Sequence, residues 1–364
     1  MAGGVSERLA LNEPLSPARI LIFGGILIAI VGMLFGEYYA IFHLHQSGMT
    51  IEAEMLNSVN AVAAGNTEPI GGSMERIGRM LENMGTKKDT HTHWIQLAYL
   101  CLILGLVQPY IAIGPIWKRR WAIVLVASSF ILPVGVFTIY YLGLWKSPFE
   151  TIGWGSIVAD AAGAVFIIGV FAQFVGAVRH FRSKGEVEAV AKDHEAEPAN
   201  SFLLRWGAVL ILIGLLHGAY YAATGLYENA EKDVSLLQAS LTHAMANDVP
   251  AAEQAVHDYN WLQAEKAIYI ATHTHFIEFG LMAILLAFAQ RFVFLSDQWK
   301  LRWARWLVVG GFLLPVAVQS ELWSGLYGGA VADLAGFIVI TALLGMLLGV
   351  IRHTGAVDAR GGTS

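Results

Sequence analysis

The sequence reads HTH at positions 91–93, where it opens an apolar segment, and reads HTH again at positions 273–275. The two triplets are 182 positions apart, and a second apolar segment follows the second one. Further matches at this offset are GEYY (36–39) with GAYY (218–221) and FILPV (130–134) with FLLPV (312–316). At an offset of 173, VADAAG (158–163) returns as VADLAG (331–336). Polar matches inside apolar segments are not expected from composition alone, so the sequence predicts a tandem duplication.

The composition indicates a membrane protein. Of the 364 residues, 56% are hydrophobic and 14% are charged, the formal net charge is -5, and the mean hydropathy is +0.55. A soluble core does not need so many apolar residues. Eight segments of about 20 residues are long enough to cross about 30 Å of hydrocarbon as helices. They cover residues 20–43, 94–116, 121–144, 153–178, 203–227, 267–294, 303–323 and 328–351. We therefore predict an all-α, polytopic fold of eight transmembrane helices in two four-helix halves.

The basic residues predict the orientation, because Lys and Arg near helix ends favour the cytoplasmic side. They place both termini in the cytoplasm and the two long loops in the periplasm of a bacterial inner membrane. The first segment lacks a cleavage site and is expected to remain as a helix. The predicted parts are repeat one (1–182) with its loop (46–90), a linker (183–200), repeat two (201–354) with its loop (228–266), and a flexible tail (355–364). Spaced apolar residues in both loops predict short amphipathic helices over the membrane face. An ordinary packing cap is the alternative.

Histidines gather at the predicted periplasmic ends of the helices, and ionisable groups there are candidates for function. The two rings of one HTH triplet point about 200° apart on a helix, so they serve different neighbours. Neutral imidazoles on facing helices of a four-helix bundle are suitable axial ligands for haem b. We predict one or two haem groups. The candidate ligands are His217 with His273 or His275 in the second half, and His43 or His45 with His91 or His93 in the first.

Carboxylates lie at the same depth along the predicted helices as these histidines, and they allow a cofactor other than haem. A mixed set of imidazoles and carboxylates is compatible with non-haem iron, copper or zinc. The candidate metal ligands are His217, His273, His275, Glu278, Glu321, Asp333 and Asp160. The two aspartates have other roles open to them, since each can fix a histidine tautomer or bond to a helix. Glu37 also lies at this level, at the end of the first helix, without an assigned role.

The two halves differ where chemistry is expected. His217 occupies the position of Phe35, and Glu278 occupies that of Gln96. Glu321 occupies the position of Ile139. Such differences between otherwise matching halves predict two sites with unequal roles. The second half holds the larger group of candidate polar residues.

Two resemblances raise the expectation of haem. The duplicated layout with histidines at the outer helix ends resembles that of haem A synthase. The string His273-Thr274-His275 followed by Gly280 is similar to the haem-ligand helix of haem-copper oxidase and nitric oxide reductase catalytic subunits. The second resemblance covers only a few residues, and neither identifies a catalytic residue.

The leading prediction is a membrane redox protein that binds haem b near its periplasmic face and exchanges electrons with quinol or a periplasmic electron carrier. A membrane oxidoreductase activity is compatible with this. The alternatives are a non-haem metal enzyme, a transporter, which duplicated halves also favour, and a structural subunit of a larger membrane complex. Membrane lipid is an expected partner, and nucleic acid is not.

Overall fold

The computed structural model describes residues 16–66, 68–142, 154–183 and 198–352. These residues form helices and turns, without a β-strand among them. Within these ranges the α-helices are α1 (Pro17–Tyr39), α2 (His45–Ala63), α3 (Glu68–Leu106), α4 (Pro115–Leu142), α5 (Trp154–Ser183), α6 (Pro198–Thr224), α7 (Leu226–Met245), α8 (Val249–Ala289), α9 (Asp297–Ser324) and α10 (Leu326–Ile351). Most of the predicted linker and all of the predicted tail lie outside the described residues.

Short turns and caps set the helix boundaries. Ser16 caps α1 by accepting a hydrogen bond from the backbone N–H of Arg19, and Pro17 provides a favourable first helical residue. A π-helical turn, Ala40–Leu44, joins α1 to α2. Between α9 and α10, Gly325 adopts a φ of 54°, a conformation that favours glycine.

Seven segments of the described chain are long and apolar enough to cross a membrane. They are Pro17–Ala63, Pro115–Ile139, Ile157–His180, Pro198–Gly218, Val249–Phe292, Asp297–Ser324 and Leu326–Ile351. The predicted segment 94–116 is not among them, because α3 ends at Leu106 and its apolar part is only about 20 Å long at about 1.5 Å per residue. The residues just before the HTH triplet are apolar in α8, where they read AIYIA (267–271), but polar in α3, where they read GTKKD (85–89). The eighth span therefore stays a prediction.

The two predicted loops form helical hairpins. The segment 46–90 contains α2 and the start of α3, and the segment 228–266 contains α7 and the start of α8. The helices α3 and α8 have 39 and 41 residues, so each is about 60 Å long. The start of α3 and the start of α8 are not separate short helices, because these polar segments continue directly into the apolar ones. We call α2, α7, residues 68–90 of α3 and residues 249–266 of α8 the helical extension.

The helical extension has a small core of its own that joins the two halves. Val59 of the first half is buried with Ala244, Ala252 and Val256 of the second. At its surface, His257 Nδ1 lies 3.0 Å from a carboxylate oxygen of Glu52 across the same boundary. Because both halves supply residues to this core, the extension holds them together outside the apolar helices.

Inside the apolar region, glycines at matching positions bring helices close together. A Cβ on Gly25 of α1 would lie 3.0 Å from the carbonyl oxygen of Ala98 on α3. A Cβ on Gly207 of α6 would lie 2.8 Å from the carbonyl oxygen of Gly280 on α8. Both pairs are related by the offset of 182. The α1–α3 and α6–α8 pairs therefore use the same close packing.

The opposite end of the bundle repeats its contacts as well. Lys118 Nζ donates a hydrogen bond to the carbonyl oxygen of Gln108 at 3.1 Å. Lys300 Nζ donates to the carbonyl oxygen of Gln290 at 3.2 Å, again at an offset of 182. Each lysine stabilises the 3-10 turn that follows α3 or α8, so the two halves turn the chain in the same way.

The contacts between the two halves are not the same on both sides of the bundle. The first helix, α1, packs against the last helix, α10, and α3 approaches α8. The repeat offset makes α5 and α6 the equivalents of α10 and α1. However, α5 and α6 leave most of their apolar surface exposed, whereas α1 and α10 bury most of theirs. The α1–α10 contact is therefore a closed seam, whereas α5 and α6 form no comparable contact among the described residues, and we call their side the open seam.

Candidate functional site

The carboxyl group of Glu37 lies in the closed seam between α1 and α10. Glu37 is 8% exposed, and its carboxyl fills the space that a Cβ on Gly336 would take. The Asp333 side chain, one turn earlier on α10, is in hydrogen-bonding and electrostatic contact with Glu37. Glu37 Oε2 has no hydrogen-bond partner among the described residues. One carboxyl group from each half thus meets another inside the protein.

A third carboxylate adjoins this pair. Glu321, near the end of α9, interacts electrostatically with Asp333. Gly328 at the start of α10 packs against the backbone of Glu321, where a Cβ would lie 2.8 Å from its nitrogen. The close contact between α9 and α10 therefore fixes Glu321 beside the pair.

A histidine pair lies on the other helices of the interface. His91 Nδ1 donates a hydrogen bond to the carbonyl oxygen of Gly32 at 2.8 Å, and its ring fills the space beside Gly36, where a Cβ would lie 2.6 Å from Cε1. His275 of α8 is close enough to His91 to interact with it electrostatically. Glu278 Oε2 lies 3.9 Å from His275 Nδ1, which is too long for a hydrogen bond.

A second histidine pair lies inside the second half, between α6 and α8. His273 Nδ1 donates to the carbonyl oxygen of Tyr269 at 2.9 Å. His217 interacts with His273 and with the Gln319 side chain, and its ring stacks on Tyr269 with centroids 5.8 Å apart. Neither His217 Nδ1 nor Gln319 Oε1 has a hydrogen-bond partner in the described part of the chain. The two neighbouring side chains therefore each keep a buried polar atom unpaired.

The equivalent positions in the first half hold no such group. Phe35 and Phe137 stand where the second half has His217 and Gln319, and their rings meet edge to face at 5.7 Å. Lys87 stands at the position of Tyr269, and burial lowers the pKa of its ammonium group. The same contact between helices is apolar in one half and polar in the other.

The remaining candidates lie apart from these groups. His43 contacts the Tyr38 hydroxyl at 2.8 Å, and His93 Nδ1 donates to the carbonyl oxygen of Asp89 at 2.7 Å. Asp160 is exposed on α5, and the side chain of His45 is outside the described residues. Across the residues that the structure describes, no group of three His, Cys, Asp or Glu side chains is arranged to hold a metal ion.

Two residues of the site had no assigned role in the sequence. Gln319 could have been found from the offset of 182, because His217 and Gln319 replace two phenylalanines that would pack together in the first half. Glu37 was visible as an ionisable residue in an apolar helix. Its contact with Asp333 is between residues far apart in sequence, and no local pattern indicates it.

Comparison with protein-family models, characterised proteins and solved structures finds no match to this chain.

Proposed function

We propose that this chain is a haem b-binding redox protein of the bacterial inner membrane, with His217 and His273 as axial ligands. In this proposal the helical extension faces the periplasm, eight helices cross the membrane, and the two halves arose by tandem duplication. The matched glycine and lysine contacts of the two halves support the duplication. Quinol and a periplasmic electron carrier are the proposed redox partners.

The orientation of the two imidazoles carries the proposal. A backbone carbonyl holds Nδ1 of His273, whereas Nδ1 of His217 has no hydrogen-bond partner among the described residues. The described residues give neither Nε2 atom a hydrogen bond. A histidine that binds a metal through one nitrogen usually hydrogen-bonds through the other, which fixes its tautomer and ring orientation. His273 has this arrangement, and its Nε2 with an unpaired nitrogen of His217 would give a haem iron two neutral imidazoles.

The surrounding residues supply the environment that such a group needs. Bound haem would supply one-electron chemistry, and the apolar helices would keep water from it. Tyr269 holds His273 through its carbonyl and stacks on His217, so one residue positions both rings. Tyr221 stacks on Tyr269 with centroids 4.9 Å apart and extends this aromatic support.

The other predicted cofactors have less support. The first-half haem needs an imidazole pair within that half, but His91 bonds to the carbonyl oxygen of Gly32 and His43 bonds to Tyr38. A non-haem centre needs three or more ligands around one point, which the described side chains do not provide. We therefore propose one haem, in the second half.

The test is the absorption spectrum of the detergent-purified protein, oxidised and then reduced with dithionite, with a pyridine haemochrome assay for stoichiometry. We expect a b-type spectrum and about one haem per chain, and loss of haem in His217→Ala. His180→Ala is the matched control, because His180 packs on Tyr110 at the opposite end of the bundle. A colourless wild-type protein, or equal haem in all three proteins, would refute the proposal.

A further inference from the structure

The seam between α1 and α10 contains a second chemical site that is separate from the histidines of the proposed haem site. Glu37 approaches Asp333 from the other half of the chain, and Gly336 leaves the space for its carboxyl group. The Glu37 side chain is more than nine-tenths buried, with one oxygen lacking a hydrogen-bond partner in the described structure. This placement puts two acidic groups in contact, with Glu37 buried and Asp333 half-buried.

Two carboxyl groups in hydrogen-bonding contact need a proton between them. An ionised carboxylate only accepts hydrogen bonds, so one member of a bonded pair must carry a hydrogen. Two adjacent carboxylates in a buried site also repel each other strongly, and such pairs take up one proton. The contact between Glu37 and Asp333 therefore requires a bound proton.

The charged and titratable neighbours do not replace this proton. Glu321 faces the pair from α9 and adds negative charge. From α3, His91 packs against Gly36, but its Nδ1 hydrogen is donated to the carbonyl oxygen of Gly32. No Lys or Arg is recorded in a hydrogen bond or ion pair with Glu37 among the described residues. Glu37 therefore meets the second carboxyl group without a basic partner of its own among the described residues.

The open seam provides a natural comparison. At the positions equivalent to Glu37 and Gly336, the chain has Ala219 and Gly163, and among the described side chains a Cβ on Gly163 would meet only Leu132, at 3.4 Å. Asp160, the equivalent of Asp333, is exposed. The fold of each half therefore does not require an acidic pair at this place, and the pair belongs to the closed seam alone.

We propose that Glu37 and Asp333 form a proton-binding site between the two halves, in which the two carboxyl groups hold one proton at neutral pH. Loss of that proton leaves two carboxylates in contact and weakens the packing of α1 on α10. The site gives the protein a means to take up or release a proton at the end of the bundle that carries the helical extension. This inference does not depend on haem.

Infrared difference spectroscopy of the purified full-length protein, titrated from neutral to alkaline pH, tests the site directly. We expect wild type to lose a protonated-carboxyl carbonyl band as the pH rises. Glu37→Gln and Asp333→Asn should each remove or shift that band, and Asp160→Asn is the matched control that should keep it. If the spectra of Glu37→Gln and Asp333→Asn match that of wild type, the proposal is wrong.

A measurement on the unmodified chain covers the case in which a variant does not fold. Dicyclohexylcarbodiimide adds to protonated carboxyl groups in apolar surroundings, and mass spectrometry locates the adduct. We expect labelling of Glu37 or Asp333 at neutral pH that decreases as the pH is raised. Absence of an adduct on both residues across the pH range would overturn the proposal, whether or not the protein binds haem.

Discussion

The two halves use one helix packing and place different chemistry on it. Between the first-half helices α1 and α4, Phe35 meets Phe137 through an edge-to-face ring contact. Between α6 and α9, at positions 182 residues later, His217 meets Gln319. Close packing at matching glycines is present in both halves, so the frame does not depend on the polar pair. The comparison teaches that the same helix contact can carry a polar pair in one half and an aromatic pair in the other.

The largest expected effect is a loss of haem when the aromatic pair of the first half is placed at the equivalent positions of the second half. In the double variant His217→Phe/Gln319→Phe, we expect haem content to decrease to near zero, because one axial ligand and the polar side chain beside it are both removed. The fold should persist, since the same aromatic pair packs in the first half. Pyridine haemochrome assay and size-exclusion chromatography measure the two outcomes. Full haem content in the double variant would show that the polar pair is not the binding site.

The two seams should respond differently to the same small substitution. In Gly336→Ala the new methyl group overlaps the Glu37 carboxyl, and overpacking of this kind costs about 1–3 kcal/mol. In Gly163→Ala the nearest atom is 3.4 Å away, so we expect a change within about 0.5 kcal/mol. Thermal unfolding in detergent compares them. Equal destabilisation would contradict the distinction between a closed and an open seam.

The carboxyl pair should make stability depend on pH. In the proposed site the folded protein holds a proton that an unfolded carboxylate releases at neutral pH, so stability should decrease as the pH rises, by up to about 1.4 kcal/mol per pH unit for one proton. We expect the melting temperature of wild type to decrease more than that of Glu37→Gln between about pH 6 and about pH 9. Parallel curves for the two proteins would argue against a proton held by Glu37.

The smallest effect is expected where matched glycines face the two HTH histidines. A Cβ on Gly36 would lie 2.6 Å from the His91 ring, whereas one on Gly218 would lie 3.2 Å from the His273 ring. We expect Gly36→Ala to destabilise the protein by about 1 kcal/mol more than Gly218→Ala, because the nearer ring must move. Thermal unfolding of the two variants gives the difference. A larger effect for Gly218→Ala would contradict the packing described for His91.

The sequence predicted the helical class because that class depends on local patterns, whereas the tandem duplication stays a prediction. Apolar segments predict helices directly, and the matches around residues 36–39 and 130–134 are visible as strings. It did not predict that the outer segments would be long continuous helices. In α3 and α8 the polar residues join the apolar ones without a break signal. In α7, i,i+4 pairs such as Glu228 with Lys232, 2.6 Å apart, support the helix outside the apolar region.

The candidate histidines were visible in the sequence, but their pairing was not. The HTH strings indicate four equivalent rings, yet His91 interacts electrostatically with His275 across the interface, and His273 does so with His217 within the second half. The difference arises from contacts between distant helices, which no spacing rule specifies. The contact of Glu37 with Asp333 arises in the same way, from the packing of the first helix on the last.

The central claim is that the second half alone binds haem, and the equivalent histidines of the two halves test it most directly. His273→Ala and His91→Ala remove the same residue of the repeat, so the haem content of the purified variants is the deciding measurement. The account predicts that His273→Ala loses the haem and that His91→Ala retains about the wild-type amount. Equal loss from both variants, or loss from His91→Ala alone, would contradict it.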